Sequence, residues 1–255
     1  NFLKKKKINT LDTANSYKSS ESEIGRYFFK TKKKFKIITK YSFKNSNSLS
    51  KQFKKTFSSL GYLPNTIIAH SYEDYLNPLF HKEVKIIKNK YYIKKLGVSI
   101  YNVDELNKVL DYKKPDVIQV PINIFDKRFF DKKIIKILKK KSVKIIGRSV
   151  FLQGLLLVKH NKIPKPFIKW MKKFKNLDLL SRKLNLKKYE ICLRYVLSNS
   201  FIDKVVVGSD NFNQLKQLAN TKGILKLNVK NLNASKEINL INPSKWQNIK
   251  RGIKE

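Results

Sequence analysis

The sequence contains one cysteine, one methionine and no long apolar run, and each shortage carries information about the protein. One cysteine, Cys192, cannot form a disulfide framework, so we expect a reducing compartment, the cytoplasm. No apolar stretch reaches the roughly 18 to 20 residues that a membrane-spanning helix needs. The chain begins at Asn1 and its only methionine is Met171, so we expect it to be a processed product or to lack its true beginning.

Arginine and acidic residues are also scarce, which affects how the net charge of +39 is interpreted. Only six of the 57 basic residues are arginine, which leaves 51 lysines against 18 acidic residues. Proteins that read nucleic acids rely on arginine for bidentate and stacking contacts. The lysines here are spread over the whole chain, a profile typical of codon usage biased to A and T. We predict weak, salt-sensitive polyanion binding but no specific nucleic-acid partner and no membrane partner; a dedicated polyanion site is the less favoured alternative.

Seven short apolar, β-branched runs recur along the chain, with amphipathic segments between them. The runs are INTLDT (8–13), FKIITKY (35–41), TIIAHS (66–71), KKLGVSI (94–100), DVIQVPI (116–122), VKIIGRSV (143–150) and DKVVVGS (203–209). Nearly continuous apolar runs indicate strands buried on both faces, as in parallel sheets covered by helices. Strand–helix alternation predicts an α/β fold. No Gly- or Pro-rich linker divides the chain, so we predict a single domain over residues 1–255.

The segments between the runs have the periodicity of amphipathic helices. In SLSKQFKKTFSSLG the apolar stripe consists of Leu49, Phe53, Phe57 and Leu60. Gly61 is placed to end this helix, and Asn102 is placed to cap the helix in NVDELNKVLDY.

The sequence lacks the G-x-G-x-x-G segment that a doubly wound dinucleotide-binding fold carries after its first strand. In a (β/α)8 barrel, by contrast, functional residues lie at the C-terminal ends of many different strands. Polar residues close nearly every run here: Asp12, Lys40, His70, Ser99, Asn123, Ser149 and Ser209. This pattern favours the barrel, although seven strands are visible and a barrel has eight.

Four residues near these strand ends form a candidate proton-donating site. Each also has an ordinary interpretation: Asp12 as a turn residue, His70 as a structural histidine, Tyr17 as packing and Lys40 as one lysine among many. A phenol with an unperturbed pKa of about 10 is a poor acid at neutral pH. A nearby ammonium stabilises the phenolate and lowers that pKa, and a carboxylate holds the ammonium in place. A barrel would bring all four side chains to one rim, where the histidine can orient a substrate oxygen.

The same segments resemble the aldo-keto reductase family. INTLDTANSYKSSESEIGRYF is similar to the family signature, in which D-T-A-x-x-Y is followed by a Glu and a Gly. KIITK and IIAH resemble the strands that end in the catalytic lysine and histidine. LGVSIYNVDEL, VIQVPINIFDKR, GRSVFLQGLLL and VVVGSDNFNQL resemble four further family segments, in the correct order. The similarity runs from about residue 8 to residue 220.

The resemblance implies a fold and a reaction. The fold is a (β/α)8 TIM barrel with strands 2–8 visible and the first strand missing from the chain. The barrel would occupy residues 1–223, and a C-terminal segment, residues 224–255, would wrap near its mouth. The reaction is NAD(P)H-dependent reduction of an aldehyde or ketone. Tyr17 would be the general acid, Lys40 and Asp12 its tuning pair, and His70 the group that orients the carbonyl.

The resemblance also implies a site for NADPH, with NADH as the alternative, and no metal. Ser99 and Gln119 match the positions that hold the nicotinamide carboxamide. Other matching positions are Arg148 beside the nicotinamide, Ser149, Phe151, Gln153 and Gly154 along the pyrophosphate, and Gly208, Ser209, Asn211 and Gln214 at the adenosine end. Ile100 replaces a common Asn, and Arg148 replaces a common aromatic residue. Asp210 and Gln214 stand where Arg often meets the 2′-phosphate, and neighbouring Lys216 could compensate. Asp210 would repel that phosphate, which keeps NADH open.

Two questions stay open at this point. RSVFLQGLLL resembles a bacterial subgroup often associated with surface-polysaccharide genes, so a sugar-derived carbonyl compound is one candidate substrate. The alternative function is a non-catalytic nucleotide- or polyanion-binding protein on a truncated, decayed barrel. The sequence gives no oligomeric state.

Overall fold

The computed structural model describes residues 2–32, 35–43 and 48–246. In this part of the chain strands alternate with helices, which confirms the predicted α/β class. All seven predicted strands are present, each inside the run that predicted it. No helix within the described ranges is long and apolar enough to cross a membrane.

The chain groups into two compact units. The N-terminal unit comprises Asn1–Gln119 with Lys140–Lys144, and the C-terminal unit comprises Val120–Lys139 with Ile145–Glu255. The prediction of a single domain stays a prediction, as does the prediction of a strand before the first one seen here.

In the N-terminal unit, neighbouring strands pair in parallel and in chain order. The strands are β1 (Thr10–Asp12), β2 (Lys36–Tyr41), β3 (Thr66–Ala69), β4 (Lys95–Ser99) and the first three residues of β5 (Val117–Pro121). The helices are α1 (Phe2–Lys5), α2 (Ser20–Thr31), α3 (Leu49–Leu60), α4 (Tyr72–Leu76), α5 (Pro78–Tyr91) and α6 (Val103–Tyr112). The register pairs Lys40 with Ile68 and Ser99 with Gln119. Because the strands are parallel, their carboxyl ends share one edge of the sheet.

Local sequence signals set these boundaries. Gly61 follows α3 with a φ of 58°, and its N–H donates to the Phe57 carbonyl at 2.8 Å, so the predicted helix end is confirmed. The side chain of Asn102 accepts from the Glu105 N–H at 2.8 Å, which confirms the predicted cap of α6. The apolar stripe of α3 is buried except for Phe57, which lies exposed at its edge against the ring of Tyr91.

In the C-terminal unit, β6 (Lys144–Arg148) pairs in parallel with β7 (Lys204–Val205). The helices are α7 (Lys132–Lys140), α8 (Met171–Leu184), α9 (Lys188–Leu197), α10 (Phe212–Asn220) and α11 (Ile238–Ile241). Short 3₁₀ helices span Arg128–Phe130, Leu155–Leu157, His160–Lys162, Lys165–Trp170, Lys230–Leu232 and Pro243–Lys245.

A partly buried carboxylate, Asp178 on α8, ties α8 to the start of α9. It pairs with the ammonium of Lys188 and accepts from His160 Nδ1 at 2.5 Å and from the His160 N–H at 3.0 Å. Burial alone would raise the pKa of Asp178, but the hydrogen bonds from Lys188 and His160 lower it below its usual value.

The segment after residue 223 contributes to the core of the C-terminal unit. Leu240 and Ile241 are fully buried, and Trp170 Nε1 donates to Glu237 Oε2 at 3.0 Å. The Ala234 N–H donates to the Phe125 carbonyl at 2.8 Å. The polar composition of this segment gave no indication that Leu240 and Ile241 would be buried. Residues 247–255 of the predicted C-terminal segment lie outside the described residues.

Candidate active site

A buried ion pair joins the ends of β1 and β2. Lys40 Nζ lies 2.6 Å from Asp12 Oδ2 and donates to the Thr13 carbonyl at 2.9 Å. The side chain of Lys40 is 3% exposed and that of Asp12 is 12% exposed. Gln119 Nε2 donates to the second carboxylate oxygen, Asp12 Oδ1, at 2.6 Å. Because a buried charge is stable only when it is paired and hydrogen-bonded, the carboxylate holds the ammonium at this point.

Two aromatic rings lie beside this pair. Lys40 Nζ is 5.1 Å from the centroid of the Tyr17 ring, and the Tyr17 and His70 rings meet edge to face at 6.2 Å between centroids. Tyr17 follows a tight turn in which its N–H donates to the Ala14 carbonyl at 2.9 Å, and its side chain is 44% exposed. His70 follows β3 directly. The structure thus brings Asp12, Tyr17, Lys40 and His70 together in the N-terminal unit.

Two other tyrosines of this unit are unsuited to donate a proton. Tyr41, next to Lys40 in β2, and Tyr75 on α4 are both fully buried. Burial raises the pKa of each phenol well above its usual range, so both hold their protons at neutral pH. Tyr17 differs from them because it is exposed and lies beside an ammonium.

The predicted carboxamide-binding residues lie at the ends of β4 and β5. Ser99 and Gln119 are almost fully buried, and the Ile100 N–H donates to the Gln119 carbonyl at 3.0 Å. Ile100, which replaces a common Asn, is fully buried. Sequence reasoning missed the contact between Gln119 and Asp12.

The predicted pyrophosphate loop follows β6 in the C-terminal unit and has an unusual backbone. Ser149, Leu152, Gln153 and Gly154 all have positive φ values, of 61°, 49°, 52° and 88°. A left-handed conformation costs a non-glycine residue roughly 1 to 2 kcal/mol, so the surrounding structure must hold these residues in it. Successive amides in left-handed segments form concavities that bind anions. The side chain of Gln153 is exposed, that of Phe151 is partly exposed, and Arg148 Nη1 donates to Ser149 Oγ at 3.2 Å.

The predicted adenosine-side residues surround the start of α10. Gly208, Ser209 and Asp210 are exposed. Asn211 caps the helix by accepting from the Gln214 N–H at 3.0 Å, and Gln214 Oε1 accepts from the Asp210 N–H at 2.8 Å. No group of three or more His, Cys, Asp or Glu side chains within residues 2–32, 35–43 and 48–246 could hold a metal ion.

A further buried polar residue received no role from the sequence. Glu21 on α2 is 6% exposed and accepts hydrogen bonds from the hydroxyls of Thr39 and Thr56. Its one sequence signal is its position one turn before Gly25, in the segment that resembles the family signature.

Comparisons with known proteins bear on the family and the fold of the chain. The profile of the aldo/keto reductase family matches residues 2–239. Comparison with curated proteins finds none that matches. An aldo-keto reductase from Bacillus halodurans in its holo form is 17% identical, with a TM-score of 0.70 over 90% of this chain and 82% of that one.

Two other solved structures are similar. The glycerol dehydrogenase of Gluconobacter oxydans is 19% identical, with a TM-score of 0.70 over 94% of this chain and 84% of that one. An aldo-keto reductase from Klebsiella pneumoniae in complex with NADPH is 11% identical, with a TM-score of 0.69 over 87% of this chain and 77% of that one. These likenesses establish the fold, and the profile confirms the resemblance seen in the sequence. The chain belongs to the aldo/keto reductase family of NAD(P)H-dependent oxidoreductases.

Proposed function

We propose that the protein reduces an aldehyde or ketone to an alcohol, with NADPH as the reductant and Tyr17 as the proton donor. One observation carries this proposal: the buried Asp12–Lys40 pair places an ammonium 5.1 Å from the centroid of an exposed tyrosine ring. NADPH is favoured because it is bound in the similar structure from Klebsiella pneumoniae. NADH is the alternative.

Each residue has a role that follows from its contacts. The Lys40 ammonium stabilises the negative charge that forms on the Tyr17 oxygen as the phenol gives up its proton. Asp12 holds that ammonium in place through the 2.6 Å contact. His70, edge to face with Tyr17, is placed to donate a hydrogen bond to the substrate carbonyl and orient it.

The chain also has groups suited to holding the cofactor. A bound NADPH would supply the hydride for the carbonyl carbon. Gln119 keeps one N–H and its oxygen for the carboxamide after bonding Asp12, because a primary amide has two donors and one acceptor oxygen. Ser99 would assist it. The loop residues Arg148, Ser149, Phe151, Gln153 and Gly154 would follow the pyrophosphate, and Gly208, Ser209, Asn211 and Gln214 the adenosine.

Finer parts of the proposal rest on the family and on composition. We propose a (β/α)8 barrel in which β1 to β7 are strands 2 to 8. The single cysteine is buried, and burial raises its pKa to about 12, so it is an unreactive thiol that fits a cytoplasmic protein. A sugar-derived aldehyde or ketone is the candidate substrate, because the segment RSVFLQGLLL resembles a bacterial subgroup often associated with surface-polysaccharide genes.

The test measures NADPH oxidation by absorbance with a panel of aldehydes, ketones and aldoses. Tyr17→Phe removes the proton donor and should lower kcat by roughly 10² to 10⁴-fold. Tyr92→Phe is the matched control, because Tyr92 is largely exposed at the end of α5 and should change nothing. Lys40→Met should likewise lower kcat, whereas Lys36→Met, on an exposed position of the same strand, should not.

Two results would contradict the proposal. Equal rates in wild type and Tyr17→Phe would refute the assigned proton donor. A wild-type protein that binds NADPH but reduces nothing in the panel would favour the non-catalytic binding protein.

A further inference from the structure

A carboxylate, Glu21, is buried behind the candidate site, and the mechanism above does not use it. Its Oε1 accepts from Thr39 Oγ1 at 2.7 Å, and Thr56 Oγ1 lies 3.1 and 2.9 Å from its two oxygens. Thr39 and Thr56 are fully buried, so these hydrogen bonds are shielded from water. A carboxylate only accepts hydrogen bonds, and therefore both hydroxyls must point their protons at it.

The close packing of two helices fixes the position of Glu21. A Cβ added at Gly25, one turn further along α2, would lie 2.0 Å from the Ser59 carbonyl oxygen and 3.0 Å from the Leu60 Cα. The backbones of α2 and α3 are therefore in direct contact here. Residues four apart share a helix face, so Glu21 is directed into the same interface.

The hydrogen bonds continue from Glu21 to the turn that carries Tyr17. Asn15 Nδ2 lies 3.3 Å from Thr56 Oγ1 and 3.4 Å from the Gln52 carbonyl oxygen. Because Glu21 takes the only hydroxyl proton of Thr56, that oxygen presents its lone pairs to the Asn15 amide. The Asn15 N–H donates to the Lys40 carbonyl at 3.1 Å, and Asn15 lies two residues before Tyr17. Thr39, in contrast, precedes Lys40 in β2 and is bonded to Glu21 without reaching the turn.

We propose that Glu21 is a positioning residue for the reaction. By orienting the Thr56 hydroxyl it holds Asn15, and through Asn15 it holds the Tyr17 turn beside Lys40. It acts through these residues, at a distance from the substrate and the cofactor. This inference rests on the proposed function, in which Tyr17 gives the proton.

The two threonines provide a matched pair for the test. Thr56→Val breaks the link to Asn15, whereas Thr39→Val removes a buried hydroxyl from the same carboxylate and leaves that link intact. We expect Thr56→Val to lower kcat about tenfold or more, because small displacements of a reacting group are costly, while KM for NADPH stays within about twofold. Thr39→Val should keep kcat within about twofold of wild type. Glu21→Gln should behave like Thr56→Val, since its amide nitrogen can donate to Thr56 in competition with Asn15.

A purely structural role predicts a different pattern. In that case both threonine variants, which each remove one buried hydroxyl from the same carboxylate, would change kcat by the same factor. Equal kcat values for Thr39→Val and Thr56→Val would therefore overturn the proposal.

Hydrogen exchange supplies a readout that does not depend on activity. Amides of residues 13–20 should exchange faster in Thr56→Val and Glu21→Gln than in wild type or Thr39→Val, and unchanged exchange would overturn the proposal. If the wild type reduces no substrate, the proposed function fails while exchange alone decides whether Glu21 holds the turn. If Thr56→Val does not fold, Asn15→Ala removes the same link, and Asn15 lies in the partly exposed turn. Faster amide exchange in Asn15→Ala would then support the proposal, and unchanged exchange would overturn it.

Discussion

Replacing Asp12 with asparagine should destabilise the protein by about 3 kcal/mol, because it strips the charge partner from a buried ammonium. Breaking a buried ion pair on one side costs about 3 to 5 kcal/mol, and the 12% exposure of Asp12 favours the lower end. The asparagine oxygen can still accept from Gln119. The cost therefore falls on Lys40, which keeps only the Thr13 carbonyl among its described contacts at hydrogen-bond distance.

A double-mutant cycle isolates this cost. The free energy of unfolding is measured by urea denaturation at pH 7 for Asp12→Asn, Lys40→Met and the double variant. Removing both charges leaves neither buried and unpaired, so the double variant should lose about 2 kcal/mol less than the sum of the single losses. Lys36→Met, exposed on the same strand, should change stability by less than about 0.5 kcal/mol and should add to Asp12→Asn.

Additive losses in the Asp12→Asn/Lys40→Met variant would refute this reasoning, because they would show that the two side chains are not coupled. Measurements of activity separate the contribution of the Asp12–Lys40 pair to stability from its contribution to proton donation by Tyr17. The double variant should regain stability relative to the sum of the single losses, yet remain as slow as Lys40→Met, since no ammonium is left to stabilise the phenolate.

Three further predictions concern other parts of the chain. Gly25→Ala should lower the free energy of unfolding by about 2 kcal/mol or more, because the new methyl would lie 2.0 Å from the Ser59 carbonyl oxygen; wild-type stability in a urea titration would contradict this. Asp178 has a pKa lowered by Lys188 against the opposing effect of burial, so its stabilisation is complete above its unfolded pKa of about 4 and is lost as pH falls through the folded value; Asp178→Asn should therefore lose less stability between pH 7 and pH 3 than wild type does. Asp210→Asn should lower KM for NADPH about two- to fivefold relative to NADH at low salt, because a repulsion worth about 1 kcal/mol is removed; an unchanged ratio of the two KM values would exclude Asp210 from the 2′-phosphate site.

Local features of the fold could be predicted from the sequence because their causes are local. Gly61 can adopt the left-handed conformation that ends α3, and Asn102 can accept the orphan N–H at the start of α6. Periodicity alone could not show that Phe57 lies at the edge of its stripe, since the width of a buried face depends on what packs against it. For the same reason β7 has two residues where the run predicted seven.

Of two contacts that Asp12 makes in the candidate site, the one between residues closer along the chain could be predicted and the more distant one could not. Lys40 follows Asp12 by 28 residues and could be linked to it through the family resemblance of two successive segments, whereas Gln119 lies 107 residues from Asp12. That contact depends on the order of the parallel strands and has no local signal. It changes the interpretation of Gln119, because the residue expected to bind the carboxamide also holds the carboxylate that fixes Lys40. If Gln119 binds the cofactor as proposed, a group bound at its oxygen would act on the side chain that holds the Asp12–Lys40 pair, and cofactor binding would then be coupled to the proposed proton donor through one residue.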